Sequence, residues 1–204
     1  FFKQKTAYEM RVAGVVEETE IFGHCLRLSR EIRCRLGDNR IEIRDRVENV
    51  GFQPSPHMML YHFNFGFPLL TEHAEIRLPS RRAIPREDDL PRDGWDRWSA
   101  PQADFAEQVY YHETAAGADG FAEAAILQPA FPLAGSDGAG VPVTVRLRWK
   151  TDTLPELVQW RMPGEGMHAL GIEPANCRVG GLAAEAERGT LRMLAPGEAV
   201  RYEL

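Results

Sequence analysis

The sequence predicts an all-β protein, built as one large antiparallel β-sandwich. Apolar residues recur at every second position over much of the chain, which is the period of a strand with one buried face. Gly and Pro clusters separate these runs, and the sequence favours no helix of ten residues or more. No fixed repeat appears, and 204 residues suit a single sandwich domain.

The opening segment FFKQKTAYEM does not join the alternation that follows. It resembles a peptide translated from sequencing-adapter DNA, and we expect residues 1–10 to be a non-native leader. Natural sequence would then begin near Arg11. Residues 11–204 are expected to form a single domain, the C-terminal portion of a sandwich that is truncated at its N-terminus.

Two segments near the start of the domain predict paired strands. Residues 25–36 and 41–47 alternate, and Gly37-Asp38-Asn39 between them predicts a hairpin turn. The segment HMMLYHFNFG, residues 57–66, predicts one further strand. Its aromatic residues share one face, and His62 and Asn64 share the other.

The remainder of the chain predicts one irregular connection and a series of strands. Residues 79–103 are rich in Pro, Arg and Asp and have no sustained period, so we expect a long loop. Further strands are predicted at 106–112, 121–128, 142–150, 156–162, 168–173, 190–194 and 199–203.

Composition argues against several classes of partner. The net charge is -6 and charges of both signs are interleaved, so nucleic acid is not expected as a partner. No run of eighteen apolar residues suggests a membrane span. The three cysteines form no CxxC pair, and we expect them to be reduced in a cytoplasmic protein. Composition does not indicate an oligomeric state.

His62 and Asn64 are two residues apart on a strand, so both can reach one ligand. Histidine exchanges protons near neutral pH, and an Asn amide both donates and accepts hydrogen bonds, as recognition of a sugar requires. The alternative is that His62 only satisfies a buried hydrogen bond between aromatic neighbours.

Glu173 lies in HALGIEPAN, where Pro174 is expected to stop an apolar strand. A partly buried carboxylate has a raised pKa and suits a general base. The alternative is a glutamate at a strand end that pairs with an arginine.

Other residues are candidates for substrate binding. In FAEQVYYHE, alternation places Glu107 and Tyr110 on opposite strand faces, and either could hydrogen-bond a ligand. Trp160 precedes a Pro-Gly turn, where its indole could stack on a sugar or cap the core. Arg81, Arg82 and Arg86, in the irregular segment, could clamp a phosphate, and the alternative is that they are solvated loop arginines.

Together YHFNFG and GIEPAN resemble the galactose mutarotase-like (aldose 1-epimerase-like) superfamily. The longer pattern, with IRDRVENVG, EQVYYHE and LPELVQW between and around them, is similar to a bacterial family of unknown function in that superfamily. The resemblance implies a supersandwich fold and no cofactor. It also implies that His62 is the acid toward the ring oxygen and Glu173 the base toward the anomeric hydroxyl. Glu107 matches a substrate-binding aspartate.

Three functional hypotheses follow. The first is an aldose 1-epimerase that interconverts the anomers of a hexose or related sugar by ring opening. The second is a carbohydrate-binding protein of the same fold without turnover. The third is a metal-dependent sandwich enzyme that uses His57, His62 and His73, although their spacing matches no recognised metal motif.

Overall fold

The computed structural model describes residues 8–135 and 138–204. Regular structure in this part of the chain is almost entirely β, and all the strand pairs between named elements are antiparallel. The prediction of an all-β protein is therefore confirmed. Of the predicted leader, residues 1–7 lie outside the described residues, while Glu9 and Met10 begin the first strand.

The elements follow one another along the described chain as fourteen strands and one short helix. They are β1 (Glu9–Thr19), β2 (Cys25–Arg35), β3 (Ile41–Asn49), β4 (Ser55–His57), β5 (Phe63–Gly66), β6 (Glu75–Arg77), β7 (Ser80–Pro85), β8 (Gln108–Thr114), β9 (Phe121–Phe131), β10 (Val141–Lys150), β11 (Glu156–Gly164), β12 (Met167–Ala175), α1 (Leu182–Arg188), β13 (Arg192–Leu194) and β14 (Ala199–Glu203).

The structure divides into two compact units. The first runs to His57 and takes in Gly189–Leu204. It contains a four-stranded sheet in the order β1-β2-β3-β14 and a two-stranded pair of β4 with β13. The predicted hairpin is β2 with β3, which pair from Leu26 opposite Asn49 to Cys34 opposite Ile41.

One row of residues across the four-stranded sheet is apolar from edge to edge. The strand register places one residue from each strand in this row, namely Val16, Leu28, Val47 and Val200. Val47 and Val200 are buried, whereas Val16 on the edge strand is 65% exposed. The apolar row is thus buried at β3 and β14 and exposed at β1.

The second unit comprises Met58–Arg188. It contains a five-stranded sheet in the order β5-β12-β11-β8-β7 and a three-stranded sheet in the order β10-β9-β6. In β9 of the three-stranded sheet burial alternates, and Ile126 is fully buried. In the five-stranded sheet the central strands are buried on both faces, as the neighbours Leu157 and Val158 show. Period-two alternation therefore describes the core side of β9, whereas β8, β11 and β12 form the interior of the unit.

The prediction of one continuous strand over residues 57–66 is wrong. The segment changes partner, since β4 pairs with β13 and β5 pairs with β12. Between these strands only an isolated bridge joins Leu60 to Ala175. The facing segment contains Pro174, which has no N–H to donate, so the ladder at this point is incomplete.

The irregular connection predicted at 79–103 is wrong in part, because it contains β7 (Ser80–Pro85). This strand lies at the edge of the five-stranded sheet. An edge position tolerates a proline whose nitrogen has no proton for the ladder, so Pro85 does not prevent a strand here.

Candidate active site

One face of the five-stranded sheet brings most of the candidate residues together. Strand register and alternation place Asn64, Trp160 and Glu173 on this face, together with Gly171. We call it the site face, and the residues that define it lie on β5, β11 and β12 and in the segment just before β5. The opposite face belongs to the core.

His62 lies directly across from Glu173. The register pairs Phe63 with Ile172 and Leu60 with Ala175, so of the two residues between them on each strand His62 faces Glu173 and Tyr61 faces Pro174. The imidazole Nε2 is 3.0 Å from the carboxylate Oε1 of Glu173. The predicted acid and base are therefore in contact, His62 with a side chain 43% exposed and Glu173 with one 4% exposed.

Burial makes Glu173 a carboxylate that can exchange a proton near neutral pH. Desolvation is the main cause and the charge of Glu107 a lesser one, and together they raise the pKa of Glu173 to about 7. The contact with His62 lacks hydrogen-bond geometry, and no described group donates a hydrogen bond to Oε1. This oxygen is thus a buried acceptor that is able to take a proton from a hydroxyl.

Gly171 leaves the space in which Glu173 and His62 meet. A Cβ at this position would lie 2.5 Å from Oε1 of Glu173, 3.1 Å from Cε1 of His62 and 3.1 Å from Cβ of Trp160. Such a distance to the carboxylate is shorter than any ordinary contact. Only glycine therefore allows the carboxylate to lie under the imidazole.

Trp160 borders this space on the side of β11. Its register partner on β12 is Gly171, and the ring of Trp160 meets the His62 ring edge-on at a centroid distance of 5.9 Å. The indole Nε1 donates a 2.7 Å hydrogen bond to Oε2 of Glu107. The other oxygen of Glu107 accepts a 3.0 Å hydrogen bond from Nη2 of Arg86.

Asn64 borders the same space on the side of β5. It stands opposite Gly171 in the ladder and is exposed. Asn64, Gly171 and Trp160 thus form a row across the sheet, and the predicted acid and base lie beside this row. This arrangement offers a ring-shaped polyol both hydrogen bonds and an aromatic surface.

Two candidates for substrate binding lie elsewhere. Tyr110 points to the opposite face of the sheet and is fully buried, so its assignment to the site is wrong. Arg82 lies on the edge strand β7, where its side chain is 64% exposed and 3.8 Å from Glu113. A phosphate clamp at Arg82 is not supported, because a carboxylate already lies beside this solvated guanidinium.

The sequence did not single out Gly171 or identify the contact between Arg86 and Glu107. A glycine inside a strand pattern signals a bulge or a close approach, and Gly171 within an apolar strand carries this signal. Arg86 carries none, because its partner is 21 residues away in sequence and the segment between them is mostly irregular.

Neither a cluster of metal ligands nor a membrane-spanning helix occurs among the described residues. In the described part of the chain, no three His, Cys, Asp or Glu side chains gather closely enough to hold a metal ion, so His57, His62 and His73 form no such group. No helix among the described residues is long and apolar enough to cross a membrane.

Solved structures share this architecture. A protein from Klebsiella pneumoniae subsp. pneumoniae MGH 78578, described as a candidate aldose 1-epimerase, superposes with a TM-score of 0.83 at 23% identity. The match covers 98% of this chain and 50% of that chain, so this chain spans half the length of the Klebsiella protein.

Two further structures match at lower similarity. A galactose mutarotase-like protein from Clostridium acetobutylicum has a TM-score of 0.53 at 12% identity, over 96% of this chain and 61% of that one. A galactose mutarotase related enzyme from Lactobacillus acidophilus has a TM-score of 0.54 at 13% identity, over 93% and 69%. At these identities the likeness shows the fold, which is the galactose mutarotase-like β-sandwich.

Sequence comparison gives the family. No curated protein matches the chain. A family described as a domain of unknown function, DUF4432, matches residues 2–204. The resemblance to a family of unknown function with a mutarotase-like fold is therefore confirmed, and the chain belongs to the DUF4432 family.

Proposed function

We propose that the chain is an aldose 1-epimerase of the mutarotase type, which interconverts the anomers of a hexose or a related sugar. The observation that carries this proposal is the contact between His62 and Glu173, two proton carriers 3.0 Å apart on one sheet face. The pKa of Glu173, at about 7, suits a base that works near neutral pH.

The reaction needs an acid and a base close together. The anomeric hydroxyl oxygen and the ring oxygen are bonded to the same carbon, so the groups that serve them must be neighbours. Glu173 takes the proton of the anomeric hydroxyl, the C1 to ring-oxygen bond breaks as the carbonyl forms, and the ring oxygen takes a proton from His62. Rotation about the C1–C2 bond and reclosure with the two roles exchanged give the other anomer.

Substrate binding requires a rearrangement of His62. The imidazole covers Oε1 of Glu173 in the structure, and the anomeric hydroxyl must take its place beside that oxygen. The His62 side chain is 43% exposed, so rotation toward solvent meets little packing. The amide of Asn64 and the indole of Trp160 then lie on either side of the ring above Gly171.

Charge supports a sugar without a phosphate group as the substrate. Glu107 lies near Glu173, and its partner Arg86 also contacts Glu87. A phosphate group on the substrate would meet Arg86, whose positive charge is already balanced by carboxylates.

A cytoplasmic location is supported by the three free cysteines of the chain.

The test is proton-exchange NMR of anomer interconversion over a panel of hexoses and hexose phosphates. We expect acceleration by the wild-type chain and a loss of roughly 100- to 10,000-fold in Glu173→Gln and His62→Asn. Glu165→Gln, an exposed glutamate in the turn before β12, is the matched control and should keep full activity.

A different result would favour the binding hypothesis. If sugars shift the resonances of Trp160 and Asn64 while no sugar is interconverted faster than in buffer, the epimerase proposal is wrong. The chain would then be a carbohydrate-binding protein without turnover.

A further inference from the structure

Both oxygens of the Glu107 carboxylate already have protein partners. Oε2 accepts the hydrogen bond of the Trp160 indole at 2.7 Å, and Oε1 accepts that of Arg86 at 3.0 Å. Arg86 is itself anchored, because its backbone N–H donates to the carbonyl of Val109 at 2.9 Å. These two donors fix the position and the orientation of the carboxylate.

Trp160 links Glu107 to His62, the proposed acid. The indole packs on the buried cluster of Val109, Tyr111 and Val158 and presents its ring to the His62 imidazole at 5.9 Å, with 63° between the planes. His62 in turn lies 3.0 Å from Glu173. Contacts therefore run without a gap from Arg86 through Glu107 and the indole to the acid and base.

We propose that Glu107 is a positioning residue, which holds the Trp160 indole against the His62 ring and keeps a negative charge beside Glu173. This role differs from that of a sugar ligand, which the resemblance implies for Glu107. It rests on the proposed function for its effect on catalysis, but its effects on the indole and on Glu173 do not need turnover.

The charge of Glu107 acts in the direction that a base needs. Its negative charge opposes ionisation of Glu173 and so raises the pKa of that carboxyl. Glu107 itself stays ionised, because hydrogen bonds from Trp160 and Arg86 lower its pKa. Glu107 is thus kept charged, while the pKa of Glu173 is kept near neutral pH.

The experiment separates the hydrogen bond from the charge. Glu107→Gln keeps an oxygen that can accept the indole N–H but removes the charge, and Glu107→Ala removes both. Glu113→Gln is the matched control, because Glu113 is a half-exposed glutamate of β8 whose ion-pair partner is Arg82. Each variant is followed by ¹³C NMR titration of the Glu173 carboxyl, by the Trp160 indole resonance and by anomer interconversion.

We expect Glu107→Gln to lower the pKa of Glu173 by roughly 0.3 to 1 unit and to leave the indole resonance near its wild-type position. Glu107→Ala should also move the indole resonance and reduce kcat on the order of tenfold or more, with a smaller change in KM. Glu113→Gln should change neither the titration of Glu173, nor the indole resonance, nor the rate of anomer interconversion.

Two results would overturn the positioning role. The first is a rise in KM for both Glu107 variants with no change in the titration of Glu173 or in the indole resonance, which is the behaviour of a sugar ligand. The second is an equal shift of the Glu173 titration in Glu113→Gln, which would show a general field effect. If the wild-type chain interconverts no sugar, the proposed function fails, while the two NMR readouts still decide the role of Glu107.

Discussion

Glu173 is ionised at a cost to the fold, and this cost depends on pH. Its pKa is about 7 in the folded chain and near 4.5 when unperturbed, so the folded state binds more protons between these values. The free energy of unfolding therefore falls as pH rises from about 4.5 to 7, by on the order of 3 kcal/mol in total.

Glu173→Gln should remove that loss. At pH 8 we expect the variant to have a larger free energy of unfolding than the wild-type chain, and at pH 4 the two should be similar, because the glutamate is then neutral. Urea denaturation at both pH values measures the difference. Equal free energies of unfolding at pH 8 would mean that ionised Glu173 does not destabilise the fold.

In the proposed reaction, the same carboxyl sets the acid limb of activity. A base must be deprotonated to act, so kcat/KM should rise with pH through a midpoint near 7. Stopped-flow polarimetry between pH 5 and 8 gives the profile for the wild-type chain. A midpoint near 4.5 would show that Glu173 is ionised without hindrance and would contradict the buried site.

A side chain at Gly171 should disturb the site and spare the fold. In Gly171→Ala the new Cβ has to displace the carboxylate of Glu173, since it would otherwise lie 2.5 Å from Oε1. We expect a loss in kcat/KM on the order of 10- to 100-fold while the fold is kept, with anomer interconversion and circular dichroism as the measurements. Gly166→Ala, at a turn with φ of +79° and open space, should cost stability without this loss of activity per folded molecule.

At the scale of an element, the seven-residue helix α1 depends on one buried glutamate. A helix this short is not stable alone. Glu185 is 1% exposed and accepts hydrogen bonds from the backbone N–H of Arg178 and from Arg188 in its own last turn. Arg188 also bonds Glu156 of β11 at 3.0 Å, which fastens the helix to the five-stranded sheet.

Glu185→Ala should therefore lower the free energy of unfolding by on the order of 1 to 2 kcal/mol, because it removes the buried acceptor that the Arg178 N–H and the Arg188 guanidinium share. Glu187→Ala, on the exposed side of the same helix, is the control and should change stability by less than about 0.5 kcal/mol. Thermal unfolding followed by circular dichroism compares them. Similar losses in both variants would mean that the helix is held by its apolar contacts instead.

Elements with a strong period were predictable, and short elements were not. The alternation in 199–203 reproduces β14, and that in 25–36 and 41–47 reproduces the β2–β3 hairpin. The three residues of β6 are too few for a period to show. For the candidate site, residue chemistry predicted His62 and Glu173, which the structure brings into contact. The burial of Tyr110 depends on which sheet face lies in the core, and the sequence does not reveal this.

At the scale of the whole molecule, the exposed apolar residues on one face of β1 should drive self-association. Met10, Val12 and Val16 share that face and are 61–67% exposed, and they lie on a strand at the sheet edge. Contiguous exposed apolar surface and an unpaired edge both favour pairing with another chain.

We expect sedimentation velocity of the chain to show concentration-dependent association, and Val12→Lys with Val16→Lys to reduce it. Val15→Lys, on the opposite face of the same strand, is the matched control and should have a smaller effect. A monomer at all concentrations, or equal effects of the two faces, would contradict the prediction.

The first unit is assembled from distant parts of the chain, and this has a consequence for biosynthesis. Its last strand, β14, pairs with β3, while the intervening Met58–Arg188 form a unit of their own. During translation the second unit can fold as soon as it leaves the ribosome, whereas β3 must wait for residues 199–203 to be made. Closing so long a loop is slow, so a nascent chain carries an unpaired β3 edge until residues 199–203 have been made.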